Sequence, residues 1–420
     1  MYKITRLDNG LTVASAEMPH MASVSVGVWV GVGGRHEPAP ISGASHFIEH
    51  LLFKGTKRRS AREISQAVEG IGGYLNAFTS EEHTCFYAKA RHDHLPELLD
   101  VLADMFLHST FDPVEMGKER EVIKEELAMY LDQPQQHVQE LLNATMWPGQ
   151  ALGRSITGTV KTLDAMSRGA LLNYQKKNYV AGTIIIAAAG QLNHGQLVKA
   201  VKPYARHFVP GSRPGYAPAT NAQTRPIICL HTKKTEQTQI ALGIRACSRH
   251  DQRRFALRVL NAVLGENMSS RLFQTVREDH GLAYSIYSAN SFFDDTGDLV
   301  VSAGLDLDNL PKALRIILRE IKRFTEQTVP AAELRRAVDY LAGQIDLSLE
   351  NSENQMMWVG EQWLGYGKII PPAQVKKRLG EVSAAEVRAV ARDFFRPDRF
   401  TLALVSPLKS DTGLAKSLAA

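Results

Sequence analysis

The residues after Met1-Tyr2-Lys3 alternate in the manner of a strand, and Asp8-Asn9-Gly10 breaks the alternation with a hairpin turn signal. A second alternating run, Ser23-Val24-Ser25-Val26-Gly27-Val28-Trp29-Val30, predicts another strand. After Pro40 the period becomes helical, with Ser42 at the expected N-cap and Gly55 as the stop signal. A Gly-containing turn and further strand follow over 74–90. A long amphipathic helix is expected over 95–107, and Pro113 opens another helix that runs to 130.

Residues 209–218, Val-Pro-Gly-Ser-Arg-Pro-Gly-Tyr-Ala-Pro, interrupt this periodicity and read as the core of a linker spanning 209–222. Beyond it the same order of elements returns: strand at 238–244, a helix region at Arg253-Phe255-Ala256-Leu257, strand over 283–304, an amphipathic helix over 310–324 and a helix from Pro330. Such a repeat predicts an α+β chain of two tandem homologous domains, 1–208 and 223–420. Each is a mostly antiparallel sheet covered on one face by helices.

Bulk properties narrow the function. At 420 residues the chain exceeds what one core usually serves. It is 44% hydrophobic and 22% charged with a net charge of +5, and its short basic run Lys57-Arg58-Arg59 lacks interleaved aromatics, so no nucleic-acid partner is expected. Three widely spaced cysteines, Cys85, Cys229 and Cys247, with no CxxC, favour a reducing compartment over a disulfide framework. No apolar run reaches membrane-spanning length and no leader pattern is seen before the first strand. A cytoplasmic location without a membrane span is therefore expected.

The chemistry concentrates in His46-Phe47-Ile48-Glu49-His50. On a helix the positions i, i+3 and i+4 share a face. Two imidazoles there can bind one Zn²⁺, with a carboxylate alongside to handle water protons. The order HxxEH reverses the commoner HExxH and is the inverzincin pattern.

Catalytic zinc usually has three protein ligands, so another is needed. The helix over 113–130 is rich in acid: Glu115, Glu119, Glu121, Glu125 and Glu126. Most alternate with Lys118, Arg120 and Lys124 as an exposed salt-bridged face would. Glu119 and Glu126 lie seven apart, on a stripe with Val122 and Ile123 expected to face inward, where carboxylates need a partner. Glu125 points elsewhere and stands in reserve. The repeat provides a control: laying Glu115-Met116 over Glu333-Leu334 sets Ala337 opposite Glu119 and Gln344 opposite Glu126, and the second half has no HxxEH.

His46-Phe-Ile-Glu49-His50-Leu-Leu-Phe-Lys-Gly-Thr, followed by Glu126 in Val-Ile-Lys-Glu-Glu-Leu, resembles the pitrilysin-type metallopeptidases. It is most similar to the half-length group typified by mitochondrial processing peptidase and its bacterial relatives. The resemblance implies His46, His50 and Glu126 as ligands of one Zn²⁺ per chain, Glu49 as the base, and Glu119 as an acid supporting the site. Gly72-Gly73-Tyr74-Leu75-Asn76-Ala77-Phe78-Thr79 also matches, and implies an edge strand at Asn76, Ala77 and Phe78 on which extended peptide is laid by strand addition. His83, Cys85 and Tyr87 alternate on the next strand, where packing is the expected role.

In the second half, Val276-Arg277-Glu278-Asp279-His280-Gly281-Leu282-Ala283-Tyr284 matches a further signature. It implies that Arg277 and Tyr284 bind the substrate carbonyl and stabilise the oxyanion. Zinc motif and Arg/Tyr pair stand on one chain, which points to a homodimer closing around a chamber, with the pair acting in the same chain or across the dimer. The expected function is a zinc endopeptidase for unstructured peptides or precursor segments. The alternative is a catalytically weak scaffold or subunit of a larger processing complex.

Overall fold

A computed structural model describes residues 2–419. The first half of the chain contributes strands β1 (Tyr2–Arg6), β2 (Thr12–Glu17), β3 (Ser23–Val30), β4 (Tyr74–Thr79), β5 (Thr84–Arg91) and β6 (Ile184–Gly190). Its helices are α1 (Ala44–Leu52), α2 (Ala61–Glu69), α3 (Leu95–His108), α4 (Pro113–Asp132), α5 (Pro134–Met146), α6 (Val160–Ala165), α7 (Arg168–Asn178) and α8 (His194–Ala205). The second half contributes β7 (Ile227–Thr232), β8 (Thr238–Ala246), β9 (Ala283–Phe292), β10 (Gly297–Leu305) and β11 (Phe400–Ser406). With them come α9 (Arg254–Leu264), α10 (Leu310–Glu326), α11 (Ala331–Ser348), α12 (Ser352–Tyr366), α13 (Pro372–Gly380), α14 (Ala384–Phe394) and α15 (Leu414–Ala419).

The repeat is visible in the two sheets. One has the order β1-β2-β6-β3-β5-β4 and the other β7-β11-β8-β10-β9. Each is antiparallel except for a single parallel pair, β2 with β6 and β7 with β11. The strand that begins the 74–90 region, β4, forms an edge of the first sheet, and β9 forms the corresponding edge of the second.

The chain gathers into two compact units, 1–127 with 154–217 and 347–370, and 128–153 with 218–346 and 371–420. Relative to a division at 209–222, each unit therefore includes a helical segment from the other half. In the first unit, α12 lies on β3 and β6, where Met356 and Val359 pack with Trp29, Ile185 and Ala187. In the second, α5 lies on β8 and β11, where Val138 and Leu142 pack with Ala241, Ala403 and Val405. Each sheet thus has one helix on the face opposite its main helical layer. Mid-strand glycines make room: a Cβ on Gly27 would stand 2.7 Å from Met356 Sδ, and one on Gly243 would stand 2.6 Å from Met146 Sδ.

The main core of the first unit joins α1, α2, α3, α7 and α8 to the sheet through Phe47, Ile48, Leu51, Phe86, Leu102 and Val26, all fully or almost fully buried. Residues 209–217 are tied to this unit. Ala181 N–H donates to Val209 O at 2.8 Å, Arg213 Nε donates to Gly31 O at 3.0 Å, and the Arg35 guanidinium lies 3.9 Å from the Tyr216 ring centroid. From Ala219 onward the segment is tied to the second unit, where Thr220 N–H donates to Gln150 Oε1 at 2.7 Å and Arg245 Nη1 donates to Thr220 O at 2.5 Å. The Pro- and Gly-rich stretch is strapped down rather than a free coil.

Candidate metal centre

Helix α1 carries the HxxEH residues, and its start differs from the expected Ser42 cap. The N-cap is Gly43, at φ +96°, a conformation only glycine takes readily, and a Cβ there would stand 2.7 Å from Thr157 O. The capping acceptor comes from outside the helix: Glu37 Oε2 accepts from Gly43 N–H and Oε1 from Ser45 N–H, each at 2.7 Å. A carboxylate serves the helix N-terminus as a hydroxyl would, and also meets the positive end of the helix dipole. The helix ends at Leu52, so the nearly apolar run Phe47, Ile48, Leu51 and Leu52 is buried against the sheet. That anchoring leaves His46, Glu49 and His50 on the remaining face.

Helix α4 supplies the acids. Its buried side runs through Met116, Glu119 and Ile123. Val122, expected inward, is 48% exposed, because consecutive residues on a helix are about 100° apart and Ile123 takes the inward position. Glu126 is half-buried beside the stripe and Glu125 is exposed.

The two helices bring His46, His50 and Glu126 together. Nε2 of His46 and Nε2 of His50 each lie 3.6 Å from Glu126 Oε2, and one donor atom from each of the three residues falls within 4.8 Å of the others. Among the described residues this is the one such cluster of three or more potential ligands. Tetrahedral zinc with bonds of about 2.0–2.1 Å sets its ligands roughly 3.4 Å apart. Two imidazole nitrogens and a carboxylate oxygen at this spacing fit that ion.

The two imidazoles are held differently. His50 Nδ1 meets Glu119 Oε2 at 3.0 Å, and Glu119 Oε1 is paired with Lys54 Nζ at 2.7 Å. That chain orients the His50 ring with Nε2 toward Glu126, as a carboxylate behind a ligand histidine does. His46 Nδ1 is buried and has no hydrogen-bond partner among the described residues, so no bond from behind orients that ring.

The electrostatics follow from these contacts. Burial, helped by His50 and opposed by Glu126, brings the His46 pKa down to about 4, which keeps it neutral and able to ligate. For His50 burial pulls the same way, but the bonds to Glu126 and Glu119 prevail and raise it. Burial raises the Glu49 carboxyl, against a bond from Thr79 that lowers it. A raised carboxyl is a better proton acceptor than an exposed one.

Asn76, Ala77 and Phe78 lie on the edge strand β4. Asn76 is exposed, and its Oδ1 accepts from the Ala77 N–H at 2.8 Å. Phe78 packs edge-on against Trp29 at 5.6 Å between centroids. His83 and Tyr87 also contact the Phe78 ring, while Cys85 is fully buried. Glycine is needed just before this strand: a Cβ on Gly73 would stand 2.6 Å from Lys89 O.

Arg277 and Tyr284 are neighbours in the second unit. The guanidinium lies 5.5 Å from the Tyr284 ring centroid and 4.7 Å from that of Phe273. Tyr284, near the start of β9, is 78% exposed, which is unusual for a tyrosine in a strand that has buried neighbours. The position opposite Glu119 in the repeat, Ala337, is buried, and that opposite Glu126, Gln344, is exposed.

Three residues that touch this site were not singled out from sequence: Glu37, Lys54 and Thr79. Lys54 had a signal, since it lies just beyond the motif helix. Glu37 and Thr79 act through contacts between distant elements, which periodicity does not carry.

Comparison with known proteins gives the family. A family model described as insulinase, peptidase family M16, matches residues 12–160, and one described as peptidase M16 inactive domain matches residues 165–341. An uncharacterized zinc protease of Bacillus subtilis is 38% identical, with 97% of this chain and 98% of the relative covered. One from Mycobacterium tuberculosis is 37% identical over 99% of this chain and 95% of the relative. A protease from Helicobacter pylori, solved by crystallography, has the same fold with a TM-score of 0.91 and 21% identity, over 97% of this chain and 99% of its own.

Proposed function

Because this chain belongs to the insulinase family of peptidases, family M16, and relatives that match it over nearly its whole length are named zinc proteases, we propose that it is a zinc-dependent endopeptidase acting on unstructured peptides. The observation that carries the reading is the convergence of His46, His50 and Glu126 beside Glu49, in the unit that also contains the β4 edge.

His46, His50 and Glu126 would hold one Zn²⁺ per chain. Bound there, zinc supplies Lewis acidity, which polarises a carbonyl and makes water acidic enough to lose a proton near neutral pH. Glu49 accepts that proton and passes it to the leaving amine. Glu119 keeps the His50 ring turned and, with Lys54 opposite, keeps its own buried charge paired. Extended peptide pairs with β4 along Asn76, Ala77 and Phe78, the Asn76 side chain giving up the Ala77 N–H to a substrate carbonyl. A covering side chain of this kind also protects the edge from adventitious pairing. Arg277 and Tyr284 bind the substrate carbonyl and support the oxyanion, from the same chain or from a second copy.

Pairing with an edge requires an extended substrate, so folded proteins should be poor ones. We place the reaction in a chamber formed by a homodimer, with precursor segments among its substrates. Unpaired Cys85, Cys229 and Cys247 suit a reducing, cytoplasmic setting. None of the described helices is long and apolar enough to cross a membrane.

The test is Glu49→Gln, which keeps shape and ligands but removes the base. Peptide cleavage should fall by at least about 10²-fold with zinc content unchanged. Retention of most activity would refute this mechanism. Wild-type protein that purifies without zinc and cleaves no member of a mixed peptide library would favour the scaffold reading.

A further inference from the structure

Glu49 has a partner on the strand proposed to receive substrate. Thr79, the last residue of β4, donates its hydroxyl to Glu49 Oε2 at 2.5 Å. The surroundings hold this contact firmly. In the turn after Thr79, Ser80 N–H donates to His83 O at 2.8 Å, while Gly34 and Arg35 N–H donate to Ser80 O at 3.1 Å and Glu81 O at 2.7 Å. Arg35 also pairs with Glu82 at 2.8 Å, with 1% and 4% of the two side chains accessible. The approach is so close that a Cβ on Gly33 would overlap Ser80 O. Two residues beyond Arg35, Glu37 caps the N-terminus of α1, the helix that carries Glu49. Loop 33–37, turn 80–83 and α1 thus form a closed circuit, which the Thr79–Glu49 bond completes at the carboxylate.

We infer that Thr79 is a positioning residue for proton transfer: its hydroxyl occupies Glu49 Oε2, fixes the carboxylate plane from the substrate strand and leaves Oε1 as the oxygen that takes the proton. This rests on the reading of Glu49 as the base. The terminal torsion of a glutamate is broad, so an unrestrained carboxylate samples orientations in which neither oxygen faces the water. A charge-assisted hydroxyl bond is strong enough to narrow that range. It also withdraws basicity from the oxygen it occupies, which directs the proton to the other. Because the donor is on β4, the base and the bound peptide share one frame of reference.

The experiment uses full-length Thr79→Val and Thr79→Ser, each assayed for zinc content and for steady-state cleavage of a quenched-fluorescent peptide. Valine keeps the β-branched shape suited to a strand and removes the donor; serine keeps the donor. Thr79→Val should lose about 10- to 100-fold in kcat, the scale of a misplaced reacting group, with KM changed less than about twofold and zinc retained. Thr79→Ser should recover kcat to within about threefold of wild type, a rescue that packing alone would not give. Wild-type kcat in Thr79→Val would overturn the inference, as would a loss confined to KM, or a serine variant as slow as the valine one. Should valine impair folding, the comparison of Thr79→Ser with Thr79→Ala decides in the same terms. If Glu49→Gln retains turnover, or wild type has none, the base reading itself fails and takes the inference with it. A dead Glu49→Gln beside a fully active Thr79→Val removes the inference alone.

Discussion

Two pairs of helices hold corresponding places in the repeat and carry opposite residues. On α1 and α4 stand His46, His50, Glu119 and Glu126, of which Glu119 is 4% exposed. On α9 and α11 the corresponding regions show Phe255, Ala256 and Leu257, all buried, with buried Ala337 and exposed Gln344. The second sheet nonetheless repeats the order of five of the first sheet's six strands. The fold therefore does not need the buried acid. Glu119 carries a desolvation cost that Ala337 avoids, and His50 and Lys54 offset it with directed bonds. A cost present in one copy and absent in the other is what the proposed metal site requires.

The largest effect that would break this comparison is on metal. Glu126→Ala should lose zinc and activity together, while Gln344→Ala at the matching place should change neither. Glu119→Ala should fall between, weakening zinc by about 10- to 100-fold, as loss of a partner behind a ligand histidine does. Metal analysis of the purified variants after dialysis against a graded chelator series reads all three. Equal zinc loss in Gln344→Ala and Glu126→Ala would remove the asymmetry between the halves.

The edges differ in the same sense. On β4 the Ala77 N–H meets only a short, replaceable side chain, that of Asn76. On β9 the Ser288 N–H is already bonded to the backbone of Gly265 at 2.9 Å, and Gly265 approaches so closely that a Cβ would stand 2.6 Å from Ser288 Oγ. A main-chain partner is far harder to displace than a side-chain amide, so β4 is the better site for strand addition.

How much of this was legible in the sequence depends on the range of the contact. His46, Glu49 and His50 share a helix turn, so spacing alone put them on one face. The helices at 95–107 and 310–324 were readable because burial of one face imposes a period, while the strands at 23–30 and 238–244, buried on both faces, were readable because larger residues alternate with smaller ones. The destinations of α5 and α12 were not. Val138, Leu142 and Met146 give a helical period that fits any apolar surface, and nothing in it names a sheet built from the other half of the chain. The signal was in the strands, where Gly27 and Gly243 interrupt runs of larger residues because a helix crosses there. Glu37 and Thr79 escaped for a related reason: a cap from outside the helix and a hydroxyl from another strand leave no periodic trace.

A smaller effect tests how tightly the two crossing helices fit. A Cβ on Gly360 of α12 would overlap the indole of Trp29, which is fully buried. A Cβ on Gly243 of β8 would instead press on Met146 and Leu142, whose ends can turn aside. Gly360→Ala should cost about 2–3 kcal/mol, after allowing for the roughly 1 kcal/mol that alanine gains over glycine within a helix. Gly243→Ala should cost about 1 kcal/mol. Thermal unfolding by calorimetry ranks them, and equal shifts would mean that the rigid ring gives way as easily as the methionine.

The smallest effect concerns the starts of α1 and α9. At the N-cap of α9 the Arg253 N–H donates to the half-buried carboxylate of Asp251 at 2.8 Å, whereas α1 is capped by the buried Glu37. Burial raises the Glu37 carboxyl to about 7, outweighing the Ser45 and Gly43 N–H groups and the nearby Arg154 that favour its charge. Its ordinary value is 4.5, so the folded chain binds this proton more tightly than the unfolded one. The resulting stability is fully present below pH 4.5, declines as pH rises toward 7 and is gone above it. Glu37→Gln keeps one acceptor for the helix start and does not titrate. Urea unfolding of both proteins from pH 4.5 to 8 should therefore show wild type losing ground to the variant by about 1–2 kcal/mol over that window, then running parallel. Taking the difference cancels His46 and every other group that titrates in both. A gap that instead closed in favour of wild type as pH rose would mean that the two backbone donors and the helix dipole hold Glu37 charged, and that α1 is anchored by an anion as α9 is by Asp251.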